Sequence, residues 1–351
     1  MNVKESDFFN SLVTNAIDFL DVAIGEIRER PKYSVIHFYS AVEIIFKSRL
    51  LLEHWALVWD EPSSANRKKF ENGNFRSVSL ENSIQRLKAI GGVNIDSHSI
   101  QSFQRLQNHR NQLIHFFHPE YGPNPSDEII ATVVADLCVS WFYLHRILTK
   151  FWRSEYSSYE QPIDELNRRM MQLREYLTVR YESVRPDIEK GIERGVPFEN
   201  CFSCGFHAAK IESDEDQLFH TTCFVCTHDD TWLEVPCPKC GQPIRTYELG
   251  EGICSNCESQ INMGYLIDLL GTKQTPHEAS EDPAHGYCTS CEWPSEPTVI
   301  PRADRYLCLN CFLMYEYLSY CEWCNEKNAG DMSDSFLYGC VLCEGRQGWR
   351  D

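Results

Sequence analysis

The sequence predicts an all-α helical bundle followed by a β-rich array of small cysteine-stapled modules. Three observations predict it. Up to about residue 200, apolar residues recur at helical spacing. From Cys201 onward, sixteen cysteines stand in eight Cys-x-x-Cys pairs. Charge divides the chain at the same place. Residues 1–200 carry 24 basic and 27 acidic residues, a net of −3, whereas residues 201–351 carry 9 and 24, a net of −15. With 351 residues and 42% hydrophobic content, the chain can build two or three domains.

Taken in order, Asp7 to Arg30 places Phe8, Leu12, Ile17, Leu20, Ala23, Ile24 and Ile27 on one helical face, and Pro31 punctuates it. Tyr33 to Trp59 is the second long helix, with Val35, Phe38, Val42, Ile45, Phe46 and Leu50 inward and Glu43 inside the apolar run. Glu61 to Ser79 reads as a loop carrying the basic cluster Arg67-Lys68-Lys69, a solvated stretch or a phosphate contact. Leu80 to Ile90 is a short helix stopped by Gly91-Gly92. Asp96 or Ser97 caps a helix from Ser99 to about Phe117, which Pro119, Pro123 and Pro125 end. Ser126 or Asp127 caps a fifth helix running to about Arg153. Pro162 to Val184 is helical, with Leu166, Met170, Leu173 and Leu177 near heptad spacing, as an outer helix, a connector or a dimer contact. Pro186 to Pro197 reads as a charged linker.

No segment runs long enough without charge to span a membrane; Ala131 to Trp152 is broken by Asp136, His145 and Arg146. The first residues lack an apolar signal core, so a cytoplasmic protein is expected.

In a reducing compartment the cysteine pattern points to zinc and not to disulfides. Two thiolates at i and i+3 fit the ends of a tight turn, and two such pairs close a tetrahedral site. The ligands are Cys201, Cys204, Cys223, Cys226, Cys237, Cys240, Cys254, Cys257, Cys288, Cys291, Cys308, Cys311, Cys321, Cys324, Cys340 and Cys343, enough for about four structural zinc ions. Successive and interleaved pairing are both open. Gly205 and Gly241 follow second cysteines, where they relax the backbone toward the sulfur. The pairs fall into two sets of four, with gaps of 18, 10 and 13 residues and then 16, 9 and 15, suggesting a duplication. His207, His220 and His228 read as surface residues beside filled sites, and Cys138 as a core packer. Trp293, Tyr306, Tyr315, Tyr317 and Trp323 form either a docking surface or the modules' own small cores.

Chemistry is concentrated in Phe103 to His118, where Arg110, Asn111 and His115 stand as Arg-Asn-x-x-x-His. Asn111 and His115 share a helix face, and the long Arg110 side chain must reach over to it. Leu106, Leu113, Ile114 and Phe117 supply apolar contacts. His109 and His118 flank the motif as surface residues. Histidine, titrating near pH about 6.5, can take the proton of a ribose 2′-OH or protonate a leaving 5′ oxygen. A guanidinium can hold the phosphate and stabilise its developing charge. A Gly-rich phosphate loop, a Ser nucleophile elbow and His-Glu-x-x-His are all missing.

A helical bundle with this motif on a late helix resembles the HEPN superfamily (higher eukaryote and prokaryote nucleotide-binding domain), over roughly residues 1–150. Ala41 to Leu50 resembles that family's second helix. The resemblance implies a metal-independent endoribonuclease, dimeric through the bundle, of the kind found as toxins or antiphage effectors. It assigns Arg110, Asn111 and His115 to catalysis, and Glu43 as the acidic residue some members add. The zinc ribbons would bind a protein partner or regulate the nuclease. The alternative is a non-catalytic HEPN/zinc-ribbon adaptor for protein or nucleotide ligands. The expected organisation is 1–155 as the bundle, 156–200 as a helical connector, 201–260 as a zinc unit with two four-cysteine sites, 261–287 as an acidic linker, and 288–351 as a second zinc unit with two more. RNA is the expected substrate, with no membrane partner.

Overall fold

Apolar periodicity in the first half becomes a set of packed helices in the computed structural model, which describes residues 3–115, 126–215, 217–247, 252–291 and 296–346. The helices are α1 (Val3–Glu26), α2 (Pro31–Glu53), α3 (Arg67–Glu71), α4 (Leu80–Ala89), α5 (Ser97–His115), α6 (Asp127–Arg146), α7 (Arg153–Tyr156), α8 (Glu160–Met170) and α9 (Arg174–Glu193). Caps are local and chemical. Asn66 accepts from Lys69 N, Ser79 from Asn82 N, Asp96 from Ser99 N and Ser126 from Ile129 N, so each start satisfies an amide that would otherwise lack a partner.

Residues 1–187 form one compact unit and 188–351 another. In the first, α1 and α2 pack along their lengths, and α2 also meets α4, α5 and α6. Trp141, Tyr156, Phe46, Phe103 and Leu106 are fully buried, each contributing about 1.5–3 kcal/mol by leaving water. The Phe46 ring meets Phe103 at 5.8 Å and Trp152 at 5.1 Å, both edge-on. Tyr156 is satisfied in the core by Ser48 Oγ at 2.7 Å and by donating to Ile45 O at 3.1 Å.

Several readings change here. The stretch 156–200, expected as a connector, belongs largely to the core: Tyr156, Ile163, Leu166, Met170 and Tyr176 are buried in the bundle. Its predicted single helix breaks at Met171–Leu173 into α8 and α9. The Pro186 linker is instead helical, since α9 continues to Glu193 and buries Ile188 beyond the proline. In the predicted loop, Arg67-Lys68-Lys69 opens α3. Arg67 pairs with Glu5 at 2.9 Å and Glu71 at 3.1 Å over the Trp55 ring, so it serves the fold and not a phosphate. The fifth helix ends as α-helix at Arg146 and continues as a π-turn, Ile147–Phe151. Asp127–Phe151 is long and apolar enough to cross a membrane, yet Val133, Leu137, Cys138, Trp141 and Leu144 lie inside the bundle core.

The second unit is built on β1 (Phe198–Asn200), β2 (His207–Glu215), β3 (Leu218–Cys223), β4 (Asp229–Pro236) and β5 (Pro243–Thr246), an antiparallel sheet in sequence order. Smaller ladders follow: β6 (Gly252–Ile253) with β7 (Gln260–Ile261), then β8 (Val299–Arg302), β9 (Arg305–Cys308) and β10 (Met314–Tyr315), and last β11 (Leu318–Tyr320) with β12 (Lys327–Ala329). Three helices complete it: α10 (Met263–Leu270), α11 (Pro276–Glu281) and α12 (Ser335–Tyr338).

The expected partition of this half also changes. Residues 261–287 are not a bare acidic linker: they hold α10 and α11, and Ile261 and Leu266 are buried. Leu218, Leu233, Val235 and Ile244 share one core with Ile300, Leu307 and Phe312, so the two sets of cysteine pairs are not separate beads. What repeats is the cysteine turn. The sheets around it differ.

Candidate functional site

The sixteen cysteines gather successively into four clusters: Cys201, Cys204, Cys223, Cys226; Cys237, Cys240, Cys254, Cys257; Cys288, Cys291, Cys308, Cys311; and Cys321, Cys324, Cys340, Cys343. Within each, all four sulfurs lie within 4.8 Å of one another. Four ligands about 2.3 Å from a central zinc would stand about 3.8 Å apart in a tetrahedron. Cross-pair sulfur separations match this: 3.5 Å for Cys201–Cys226, 3.6 Å for Cys237–Cys257, 3.7 Å for Cys288–Cys311 and 3.8 Å for Cys321–Cys343. Each cluster can therefore hold one zinc ion, and four thiolates leave no open position for catalysis. Interleaved pairing is excluded.

The local cause is one repeated turn. The amide after the second cysteine donates to the carbonyl of the first, as in Gly205→Cys201 O (2.8 Å), Thr227→Cys223 O (3.0 Å) and Asn325→Cys321 O (2.9 Å). In all seven pairs whose following residue is described, that residue has positive φ: Gly205, Thr227, Gly241, Glu258, Phe312, Asn325 and Glu344. Sequence reading noticed only the two glycines. The left-handed conformation is a demand of the turn, and five side-chain residues adopt it at some strain. Further donors aim at the sulfurs. Tyr315 Oη lies 3.0 Å from Cys288 Sγ, and Asn310 Nδ2 donates to Cys291 Sγ at 3.1 Å. The side chain of Asn256, with the Gln242 amide, holds the Cys240 thiol down at about 6.

The three histidines stay outside the clusters: His207 Nδ1 meets Asn200 Oδ1 at 3.2 Å and His220 Nδ1 meets Thr231 Oγ1 at 2.8 Å. The aromatics divide. Tyr306 and Tyr315 pack on the third cluster, whereas Tyr317 and Trp323 are exposed. Trp293 lies outside the described residues.

In the helical unit, Arg110 and Asn111 lie on α5, and Arg110 Nη1 donates to Asn111 Oδ1 at 3.0 Å. The Arg110 guanidinium sits 5.8 Å from the Tyr39 ring centre on α2. Its Nε is buried with no hydrogen-bond partner among the described residues. Glu43 lies one turn beyond Tyr39 on α2, and Lys47 one turn further. Burial pushes the Tyr39 hydroxyl up, and Glu43 adds to this while Arg110 opposes it. Burial pulls the Lys47 ammonium down against Glu43. Arg110 thus lies over Tyr39, with Asn111 on its guanidinium and Glu43 within electrostatic reach of the tyrosine hydroxyl; Tyr39 was not among the residues expected at the site, and its signal was its place four residues before Glu43. His115 ends α5, and its side chain lies outside the described residues, as do Phe117, His118, Pro119, Pro123 and Pro125.

Two details differ from expectation. His109 is no free surface residue: its Nε2 meets Asp136 Oδ2 at 3.1 Å, while Arg105 Nε donates to Asp136 Oδ1 at 2.7 Å, tying α5 to α6. Ile114 is 44% exposed and not a core contact, whereas Phe103, absent from the predicted contacts, is fully buried. One turn before Arg110, a cavity of about 280 Å³ opens between α4 and α5, with Ile84, Ile100 and Phe103 as apolar floor and Gln85, Gln104 and Gln107 on its walls.

No family model, no curated protein and no solved structure matches the chain.

Proposed function

We propose that the helical unit is a metal-independent endoribonuclease of HEPN type and that the zinc unit recruits a partner or gates it. One observation carries this reading. A guanidinium whose buried Nε has no hydrogen-bond partner among the described residues is fixed by Asn111 and Tyr39 on an otherwise packed bundle, five residues before His115 on the same helix. A preorganised cation of this kind favours a phosphate that arrives with its charge already formed and gains more as charge develops.

In the proposed reaction Arg110 holds the scissile phosphate and Asn111 fixes the guanidinium. A His115 imidazole takes the 2′-OH proton as that oxygen attacks phosphorus, and a second imidazole protonates the departing 5′ oxygen. One chain offers one motif histidine, so the second comes from another copy across a two-fold axis. The products are a 2′,3′-cyclic phosphate and a 5′-OH. Glu43, through Tyr39 and Lys47, would set the local charge. The groove lined by Gln104 and Gln107 would hold an adjoining base, since amides supply both donors and acceptors. The zinc ions would be structural and take no step in this chemistry.

The test is cleavage of total RNA by the zinc-loaded protein beside Arg110→Ala and His115→Ala. Cleavage by wild type and its loss in both variants are expected; intact RNA with wild type, or equal cleavage by all three, would sink the proposal. The adaptor reading draws on the exposed Tyr317 and Trp323 and predicts stoichiometric protein partners without RNA turnover.

A further inference from the structure

We propose that the five-stranded sheet carries a binding site for an alkylammonium or guanidinium group, presented by a basic segment of a partner protein. The inference names the chemistry of the partner that the docking role implies and rests on that role alone; the nuclease reading does not enter it.

A cavity of about 200 Å³ lies on the sheet face away from the core, and every strand contributes to it: Glu199, Ala209, Thr221, Asp230 and Arg245. The register explains the convergence. Glu199 pairs with Ala209, Thr221 with Ile211 and Asp230, and Arg245 with Glu234. Strand alternation sends Leu233, Val235 and Ile244 to the opposite, buried face.

The cavity is rich in electrons. Glu199 and Asp230 bring two carboxylates, and Cys201, a thiolate of the first cluster, forms part of the wall. Among the described lining residues the cationic side chains are Arg245 and, when protonated, His228; Arg245 is already engaged, donating to Glu199 Oε2 at 2.8 Å and lying 4.4 Å over the Trp232 ring. An entering anion would meet Asp230 and the thiolate; an entering cation would meet both favourably. The net −15 of residues 201–351 adds a long-range field of the same sign.

The rim selects an organic cation over a bare ion. Phe202 sits between Cys201 and Cys204, and the cysteine turn holds its ring 91% exposed. Tyr247 closes another side at 42% exposure. Aromatic faces beside carboxylates suit a cation carried on an aliphatic stem, which gains cation–π attraction and apolar contact together.

The test titrates the full zinc-loaded chain with fluorescent Gly/Ser nonapeptides carrying one central lysine, arginine or acetyl-lysine, and separately with spermidine. Saturable binding of the lysine or arginine peptide is expected, weakened about tenfold by acetylation. Phe202→Ala should weaken it about fivefold, and Asp230→Asn by at least as much. Phe202 is exposed and Asp230 is no metal ligand, so zinc content should stay at the wild-type level in both variants. Saturable binding of spermidine alone would overturn the protein source. Equal affinity for the acetylated peptide, wild-type affinity in both variants, or saturation by no probe would overturn the site. RNA cleavage is measured independently of every arm.

Discussion

The helical unit and the cysteine-rich unit reach order by opposite routes. In residues 1–187 large side chains such as Trp141, Tyr156 and Phe46 fill one continuous core. In residues 188–351 the strands outside the five-stranded sheet have only two to four residues, and four cysteine clusters sit where a larger core would otherwise be needed. Short hairpins with little apolar area cannot offset the entropy of ordering their chains without a staple. The contrast teaches where chemistry can reside. A coordinatively full zinc holds structure, whereas a packed bundle can support a polar group such as Arg110 in a fixed position.

The largest effect expected from this contrast is the response to metal removal. A strong chelator should unfold residues 188–351 while helical circular dichroism persists, because each structural zinc contributes about 10–16 kcal/mol of apparent binding free energy at neutral pH. Elemental analysis before chelation should return about four zincs per chain. Loss of helix and sheet together would erase the distinction.

Next in size is Trp141→Ala. It empties a fully buried site and should cost the helical unit about 3–5 kcal/mol in a denaturant titration, with bound zinc unchanged. A cost under about 1 kcal/mol would mean the core collapses around the gap.

The smallest effect sharpens the account of the cysteine turn. Glu258 is exposed and held at φ 58° by the turn that closes at Cys254. Glu258→Gly should therefore stabilise the zinc-loaded unit by about 1 kcal/mol, read as a shift in its chelator or denaturant midpoint. No shift, or a destabilisation, would remove the strain from those five positions.

Much of this was legible in the sequence, for reasons specific to each element. The four-cysteine clusters were, because the turn that joins each Cys-x-x-Cys pair is local and needs only spacing. The helices of the first half were, through the period of residues such as Leu20, Ile24 and Ile27. Less was legible where tertiary contacts decide. The α10 segment, Met-Gly-Tyr-Leu-Ile-Asp-Leu-Leu after its cap Asn262, is apolar at helical spacing and was legible, but the acidic residues that follow it masked it within the stretch 261–287. The ion pair of His109 with Asp136 depends on how α5 meets α6. The cluster around Tyr39 required α2 and α5 to be packed first. The positive φ of Thr227 and Phe312 has no residue signature, whereas Asn325 is of a type that tolerates that conformation. For the candidate site, the motif supplied Arg110 and Asn111, and packing supplied their surroundings.

The measurement that bears most directly on the proposed chemistry is the chemical nature of the RNA ends that the zinc-loaded protein produces in buffer without chelator and without added divalent metal. The expected result is 2′,3′-cyclic phosphate and 5′-OH ends from the wild type, and none from Arg110→Ala or His115→Ala. Products with 5′-phosphate ends, a requirement for added divalent metal, or wild-type cleavage by His115→Ala would contradict it.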